Sequence, residues 1–345
     1  MSPTPNAAVQ AGRRPAGQIT FLGAGPGDPG LLTLRAVEVL AAADVLVADP
    51  LTAATVRTHC PDGVELHDAH PSSDVDVPEG GPLARLFPAV QAGKHVVRTV
   101  DGDPGLDGRA AEEMLACAQA GIPFQVVPGV AQSVGVPAYA GVPLRGGAAG
   151  ADVRFVDASH CVPEAYDWSN LGGCDATLVV RTRLNGLPGS ATALVASGRK
   201  PDTPVSVTLE GTTTRQRTYI ATLATLAAEL KAARVLPSPV SAPVDPGSNV
   251  IAVVGEQVNR RATLSWFETK PLFGWNVLVP RTKDQAGALS EQLRSYGAVP
   301  SEVPTIAVEP PRTPQQMERA IKGLVTGRYE WIGRASCRER VLRLV

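Results

Sequence analysis

Aromatic residues make up only 4% of the 345 residues, and nowhere do 18 apolar residues run together, so no segment reads as a membrane span. The five cysteines, Cys60, Cys117, Cys161, Cys174 and Cys337, lie far apart, are odd in number and form no CxxC pair. Neither a disulfide framework nor a metal site is indicated by that spacing, and a reducing cytoplasm is the setting it predicts. Charge of one sign is missing as well. There are 32 basic and 33 acidic side chains for a net charge of -1, and no stretch interleaves Lys and Arg with aromatics, so no nucleic-acid footprint is visible. An anionic ligand would have to be met by a local basic cluster. Residues 1–17 hold Arg13 and Arg14 but no apolar signal-peptide core, and are expected to form a disordered leader.

What is present is the composition of a loop-rich folded protein. Apolar residues are 44% and charged residues 19%, with 34 Gly and 31 Pro, and the length allows two or three domains. From Gln18 onward, short apolar strands (ITFLGAG, DVLVAD, HVVRTV, FQVVPG) alternate with helical patterns (LLTLRAVEVLAAA, 82–92, 109–120), which predicts α/β units on a mostly parallel sheet. GVPAYAGVPLRGGAAG, rich in Gly and Pro, reads as a crossing into a second α/β set. That set comprises strands VRFVDA, ATLVV, PVSVTL and VIAVVGE, with helices at 190–197 and 221–233. A third unit opens at Phe273 with strand GWNVLVPRT, a helix over 285–296, strand SEVPTIAVEP and a helix over 315–325. Beyond Trp331 the pattern stops: IGRASCRERVLRLV carries four arginines and no strand alternation. It reads either as a basic helical tail or, since IGRASCRERV resembles a sequencing adapter translated in frame, as a non-native tail over 332–345.

The richest local signal is FLGAGPGDPGLLTL, where glycines and prolines between a strand and a helix let backbone approach a ligand closely at the carboxyl end of a sheet. Alone it is compatible with a dinucleotide fingerprint or a phosphate cradle, although the GxGxxG spacing is imperfect and no Lys-Ser/Thr pair follows. Asp49, closing DVLVAD, suits a helix N-cap or a turn.

Taken in order, GAGPGDPGLLTL, ADVLVADPLT, DGDPGLDGRAAEE, AGIPFQVVPGV, PAYAGVPL, GRKPDTPVSVTLEGTTTRQRTYIATLATLA and VIAVVGEQVNRRATLSWFE resemble the tetrapyrrole methylase family, in particular its uroporphyrinogen-III C-methyltransferases. The resemblance covers about Gln18 to Glu268. It implies two αβα lobes (18–147 and 148–268), S-adenosyl-L-methionine in the cleft between them, uroporphyrinogen III as the tetrapyrrole methylated to precorrin-2, and a homodimer. It further implies cofactor contacts at Pro26, Asp101, Gly102, Asp103, Leu106, Ala131, Gln132, Thr182, Gly211 and Thr212. Asp49 falls on the family's proton acceptor and His70 near its proton donor. Arg109 and Arg145 are the candidates for the substrate's carboxylates, chosen from the arginines in or beside the motifs.

The chain departs from the family's pattern around that cleft. GGDP becomes DGDP, placing Asp101 where the family has glycine; its aromatic triplet becomes Gly105, Leu106 and Asp107; its Thr-Ala pair becomes Ala131 and Gln132; its Tyr-Met-Gly becomes Arg181, Thr182 and Arg183. Arg181 or Arg183 is expected to offset the added charge of Asp101 and Asp107. A non-catalytic lobe serving dimerisation or substrate handing is the alternative these departures motivate. Residues 273–331 resemble the amino end of the uroporphyrinogen-III synthase family over too short a span for a complete domain, and the edge of TIAVEP is expected to invite aggregation.

Overall fold

The computed structural model describes residues 17–69, 82–146, 152–159, 165–235, 249–280, 283–303, 314–326 and 328. Strand β1 (Gln18–Gly23) has Ile19, Phe21 and Leu22 fully buried, the signature of a strand covered on both faces. It pairs in parallel with β4 (His95–Val100) on one side and β5 (Phe124–Val127) on the other. Parallel strands β2 (Val45–Ala48) and β3 (Glu65–Asp68) complete the order β3-β2-β4-β1-β5. Side chains alternate across this sheet. Ile19 and Phe21 pack with Val90 of α3 (Phe87–Gln91) and with Ala110 and Cys117 of α4 (Gly108–Gln119). Leu22 packs on the opposite face with Leu40 of α1 (Leu34–Ala41) and Val56 of α2 (Pro50–Val56).

That two-sided covering positions the site. The chain leaving β1 runs over one face towards β2, whereas the chain leaving the adjacent β4 runs over the other face towards β5. A crevice therefore opens where the carboxyl ends of β1 and β4 meet. The wall is braced by a buried ion pair, with Arg98 Nε of β4 donating to Glu113 Oε2 of α4 at 2.9 Å.

After β5 the chain makes helix α5 (Gln132–Tyr139), then a second sheet built from β6 (Val153–Asp157), β7 (Thr177–Arg183), β8 (Pro204–Leu209), β9 (Arg217–Thr222) and β10 (Asn249–Val254). Its order is β6-β7-β10-β8-β9. Only β6 and β7 run parallel; the other pairs are antiparallel. One face packs on α6 (Ser169–Gly172), α7 (Leu187–Ala196) and α8 (Leu226–Ala232), through Leu171, Leu194 and Leu230 among others. On the other face Val179 of β7 and Ile251 of β10 meet Val136 of α5. The short helix α9 (Arg261–Leu264) follows β10.

Two expectations change. The Gly- and Pro-rich stretch from Gly135, read as a crossing, begins inside α5. Gly135 is small there because the Pro26 ring packs against it, and a Cβ would lie 2.8 Å from Pro26 Cγ. The helix expected over 221–233 is a strand followed by a shorter helix; Thr222 and Thr225 hydrogen-bond each other at the join and end the strand. The second sheet is mixed: β8 and β9 are joined by the turn 210–216 and pair as an antiparallel hairpin.

A second compact unit takes in residues 276–295 and the described residues from Pro300 onward. Strand β11 (Asn276–Val279) and β12 (Val299–Glu302) form a two-stranded sheet, with α10 (Lys283–Ser295) and α11 (Pro314–Val325). Of the strand expected over 301–310, Ser301 and Glu302 fall in β12, and TIAVEP lies outside the described residues, as do the tail and all of the leader except Gly17. Among the described residues no helix is long and apolar enough to cross a membrane, and no cluster of His, Cys, Asp and Glu could hold a metal.

Candidate functional site

The two glycine turns of the first sheet meet. Gly25, at φ +73°, and Gly102, at φ +74°, form an isolated antiparallel bridge, left-handed conformations that a side chain would strain. Gly102 N donates to Gly25 O at 3.0 Å and Gly25 N to Gly102 O at 3.3 Å. Asp103 then caps the turn Pro104–Leu106: its carboxylate accepts from Gly105 N at 2.7 Å and from Gly129 N at 2.9 Å. A carboxylate locked by two amides fixes the path of the loop.

Beside this turn lies a cavity of about 150 Å³ lined by Asp101, Asp103, Leu106, Ala131, Gln132 and Ser133 on one side and by Phe155, Val156, Asp157, Val179 and Arg181 of β6 and β7 on the other. Asp101 is its chemical centre. Gln132 Nε2 donates to Asp101 Oδ2 at 2.7 Å, and Arg181 Nη2 lies 3.9 Å from the same oxygen. Arg181 Nη1 reaches Asp157 Oδ2 at 3.4 Å, while its Nε is buried without a hydrogen bond. Burial pushes the Asp101 carboxyl up to about 6. The nearby charges of Asp49 and Asp107 push the same way, and Arg181 and Gln132 oppose them.

Of the residues singled out in the sequence, Asp101, Asp103, Leu106, Ala131 and Gln132 line the cavity, and Gly102 lies between two of them in the chain, bridged to Gly25. Pro26 instead packs on α5, and Gly211 abuts Val136, where a Cβ would stand 2.5 Å from that side chain. Thr212 is buried with φ +66°, a strained value for a β-branched residue. Its amide donates to Gln216 Oε1 at 2.7 Å, and its hydroxyl accepts from Asp28 N at 3.0 Å. The Asp28 carboxylate in turn accepts from Tyr139 OH at 2.8 Å. These residues pin the first loop to α5 and to the β8–β9 turn rather than lining the cavity.

Thr182 requires a correction. Val179 and Arg181 line the cavity, so the pleat sends Thr182 to the opposite face of β7 with Leu178 and Val180, and its side chain is fully buried there. Asp49 N-caps α2 in the described geometry, accepting from Thr52 N at 2.9 Å, and stands close enough to Asp101 to act on its ionisation. Arg109 and Arg145 are exposed and absent from the cavity lining. His70 lies outside the described residues. The offset expected of Arg181 reaches Asp101 and Asp157, whereas Arg183 donates to Ser159 O. Phe155, Asp157 and Val179 carried no local motif. The register pairing Asp157 with Arg181 across β6 and β7 is the signal that would have found the second wall.

Residues 18–227 match the family described as Tetrapyrrole (Corrin/Porphyrin) Methylases. The siroheme synthase of Stutzerimonas stutzeri (strain A1501) is 38% identical over 255 residues, 73% of this chain and 52% of that protein. The siroheme synthase of Acinetobacter baylyi is 37% identical over 255 residues, 73% of this chain and 53% of that protein. The chain thus spans about half the length of these curated relatives. Among solved structures, uroporphyrin-III C-methyl transferase from Thermus thermophilus complexed with S-adenyl homocysteine is 29% identical with a TM-score of 0.55, covering 70% of this chain and 99% of that one. A cobalt precorrin-4 methyltransferase, at 20% identity and a TM-score of 0.61, covers 72% of this chain and 99% of its own; that likeness bears on the fold alone.

Proposed function

The chain belongs to the tetrapyrrole methylase family, and from that premise we propose that it moves methyl groups from S-adenosyl-L-methionine to ring carbons of uroporphyrinogen III, giving precorrin-2 for sirohaem or cobalamin. The observation that carries this reading is the Gly25–Gly102 bridge at the strand switch point, beside a cavity between two lobes. The similarity to a methyltransferase solved with S-adenyl homocysteine supports the choice of cofactor. The residues fit such a group: bare backbone at Gly102, uncapped amides at the start of α5, and apolar side chains at Leu106 and Val179. When bound, the cofactor supplies an already electrophilic methyl.

The protein's part is then to orient and to exclude water. Asp101, Gly102, Asp103 and Leu106, with Ala131 and Gln132, hold the cofactor, and Asp49 accepts the ring proton lost after methylation. Thr182 enters only through its main chain, and Pro26, Gly211 and Thr212 act by setting the shape of the first loop. Arg109 and Arg145 belong to this proposal as exposed partners for substrate carboxylates, and His70 as the proton donor. We further take residues 18–147 and 148–268 as the two lobes of a cytoplasmic homodimer, and 273–331 as the amino-terminal piece of a uroporphyrinogen-III synthase.

A second reading, a non-catalytic lobe used for dimerisation or substrate handing, is favoured by Gln132 and Arg181 closing on Asp101. Calorimetry with S-adenosylhomocysteine and a mass-resolved methyl-transfer assay on uroporphyrinogen III separate the two. Binding with product carrying added methyl groups is expected; a folded protein that binds no ligand at millimolar concentration and makes no product contradicts the enzymatic reading.

A further inference from the structure

Arg181 is a poorly satisfied guanidinium. Its two carboxylate contacts are long, 3.4 Å to Asp157 and 3.9 Å to Asp101, against the 2.7–2.9 Å of a well-made charge-assisted bond. Its Nε has no hydrogen-bond partner, although an unpaired buried donor is costly. Asp101 receives both Gln132 and Arg181 on one carboxylate oxygen, Oδ2. Both residues line the cavity, one from each lobe. A negative and a positive group, loosely paired and side by side on one cavity, match a ligand that carries the complementary charges on one carbon.

We infer that Asp101 and Arg181 together read the amino-acid end of the cofactor, Asp101 taking its ammonium and Arg181 its carboxylate. This rests on the proposed cofactor reading and adds to it an assignment of two residues to two ligand groups. Insertion of the zwitterion exchanges one long internal ion pair for two ligand contacts, so the partly buried carboxylate gains a cation and the guanidinium a planar acceptor. The raised ionisation of Asp101 fits a group that lacks a close cationic partner until the ligand arrives.

The test is isothermal titration of the full chain with S-adenosylhomocysteine, its decarboxylated analogue and its deaminated analogue. On the wild type each deletion is expected to weaken binding by about tenfold to a hundredfold, the range for hydrogen bonds to charged groups. In Arg181→Met the carboxylate discrimination should fall to near unity while the amine discrimination survives. Asp101→Asn should do the reverse. Equal affinities for all three ligands on the wild type would overturn the assignment while leaving the cofactor reading intact, and so would an Arg181→Met protein that still prefers the carboxylate. Failure of the wild type to bind S-adenosylhomocysteine at all would strike at the cofactor reading itself. The wild-type arm needs no variant to fold, so the assignment stays exposed to refutation.

Discussion

The two walls of the cleft are built by different means. On the first lobe, the wall is main chain: Gly25 bonded to Gly102, and Asp103 holding the amides of Gly105 and Gly129. On the second lobe, it is side chain: Phe155, Asp157, Val179 and Arg181 projecting from two parallel strands. A main-chain wall tolerates almost no change because glycine positions are set by close approach. A side-chain wall can be repopulated without altering the fold, and the chain's departures from its family's pattern put side chains on the cavity from both lobes, Asp101, Leu106 and Gln132 from the first and Arg181 from the second. Shape is therefore set by main chain on the first lobe, and charge by side chains from both lobes.

Breaking the brace behind the main-chain wall should have the largest effect. Glu113→Ala leaves Arg98 buried without its partner and is expected to cost about 3–5 kcal/mol of stability, read by urea denaturation. A change below about 1 kcal/mol would show that the pair does not hold β4 to α4. Next comes Gly129→Ala. A Cβ there would stand 2.3 Å from Gly102 O and 2.7 Å from Gly23 O, both main-chain atoms, and the overpacking should cost about 3 kcal/mol and abolish binding of S-adenosylhomocysteine. An alanine variant with unaltered binding would mean that the turn has more slack than the geometry allows.

At Asp101, a side chain that the first lobe contributes to the cavity, the sign reverses. The folded-state carboxyl of Asp101 is raised to about 6 from 3.8, so folding is favoured by its proton at low pH and that favour is lost as pH climbs through this window. Asp101→Asn should accordingly stabilise the protein at pH 7.5 by on the order of 2 kcal/mol and leave it little changed at pH 3.5. Thermal denaturation at the two pH values checks it; an equal shift at both would refute the burial argument. The smallest effect is expected from Tyr139→Phe, which deletes the bond to Asp28 while keeping ring contacts with Phe267 (4.7 Å) and Trp266 (5.1 Å). About 1 kcal/mol of stability should go, with cofactor affinity falling and the turnover rate little changed. If affinity is untouched, the Thr212–Asp28–Tyr139 chain does not position the first loop.

This division also explains what could be read from the sequence. The glycines of FLGAGPGDPG and DGDPG announced a turn that backbone must approach, and the alternation of strands and helices up to Val127 announced the parallel sheet. Helix α5 was hidden because Gly135 and Pro137, which usually interrupt helices, sit inside it, the glycine serving the close approach of Pro26. Strand β9 was hidden because TYIATLATLAAELKAA runs into a helix without a breaker, and the strand's end is marked only by Thr222 and Thr225. The family resemblance puts Thr182 in the cleft, but a period of two makes a one-residue difference a change of face, and Arg181 is the neighbour that points in. Asp157 and Arg181 become adjacent only through strand pairing, a long-range fact no local motif carries.

The most direct measurement is a crystal structure of the chain soaked with S-adenosylhomocysteine. The ligand should lie against Gly102 and Leu106, with its amino-acid end between Asp101 and Arg181. A folded protein whose ligand density lies away from both glycine turns, or whose cavity stays filled by Arg181 and Gln132 at saturating ligand, would contradict the account.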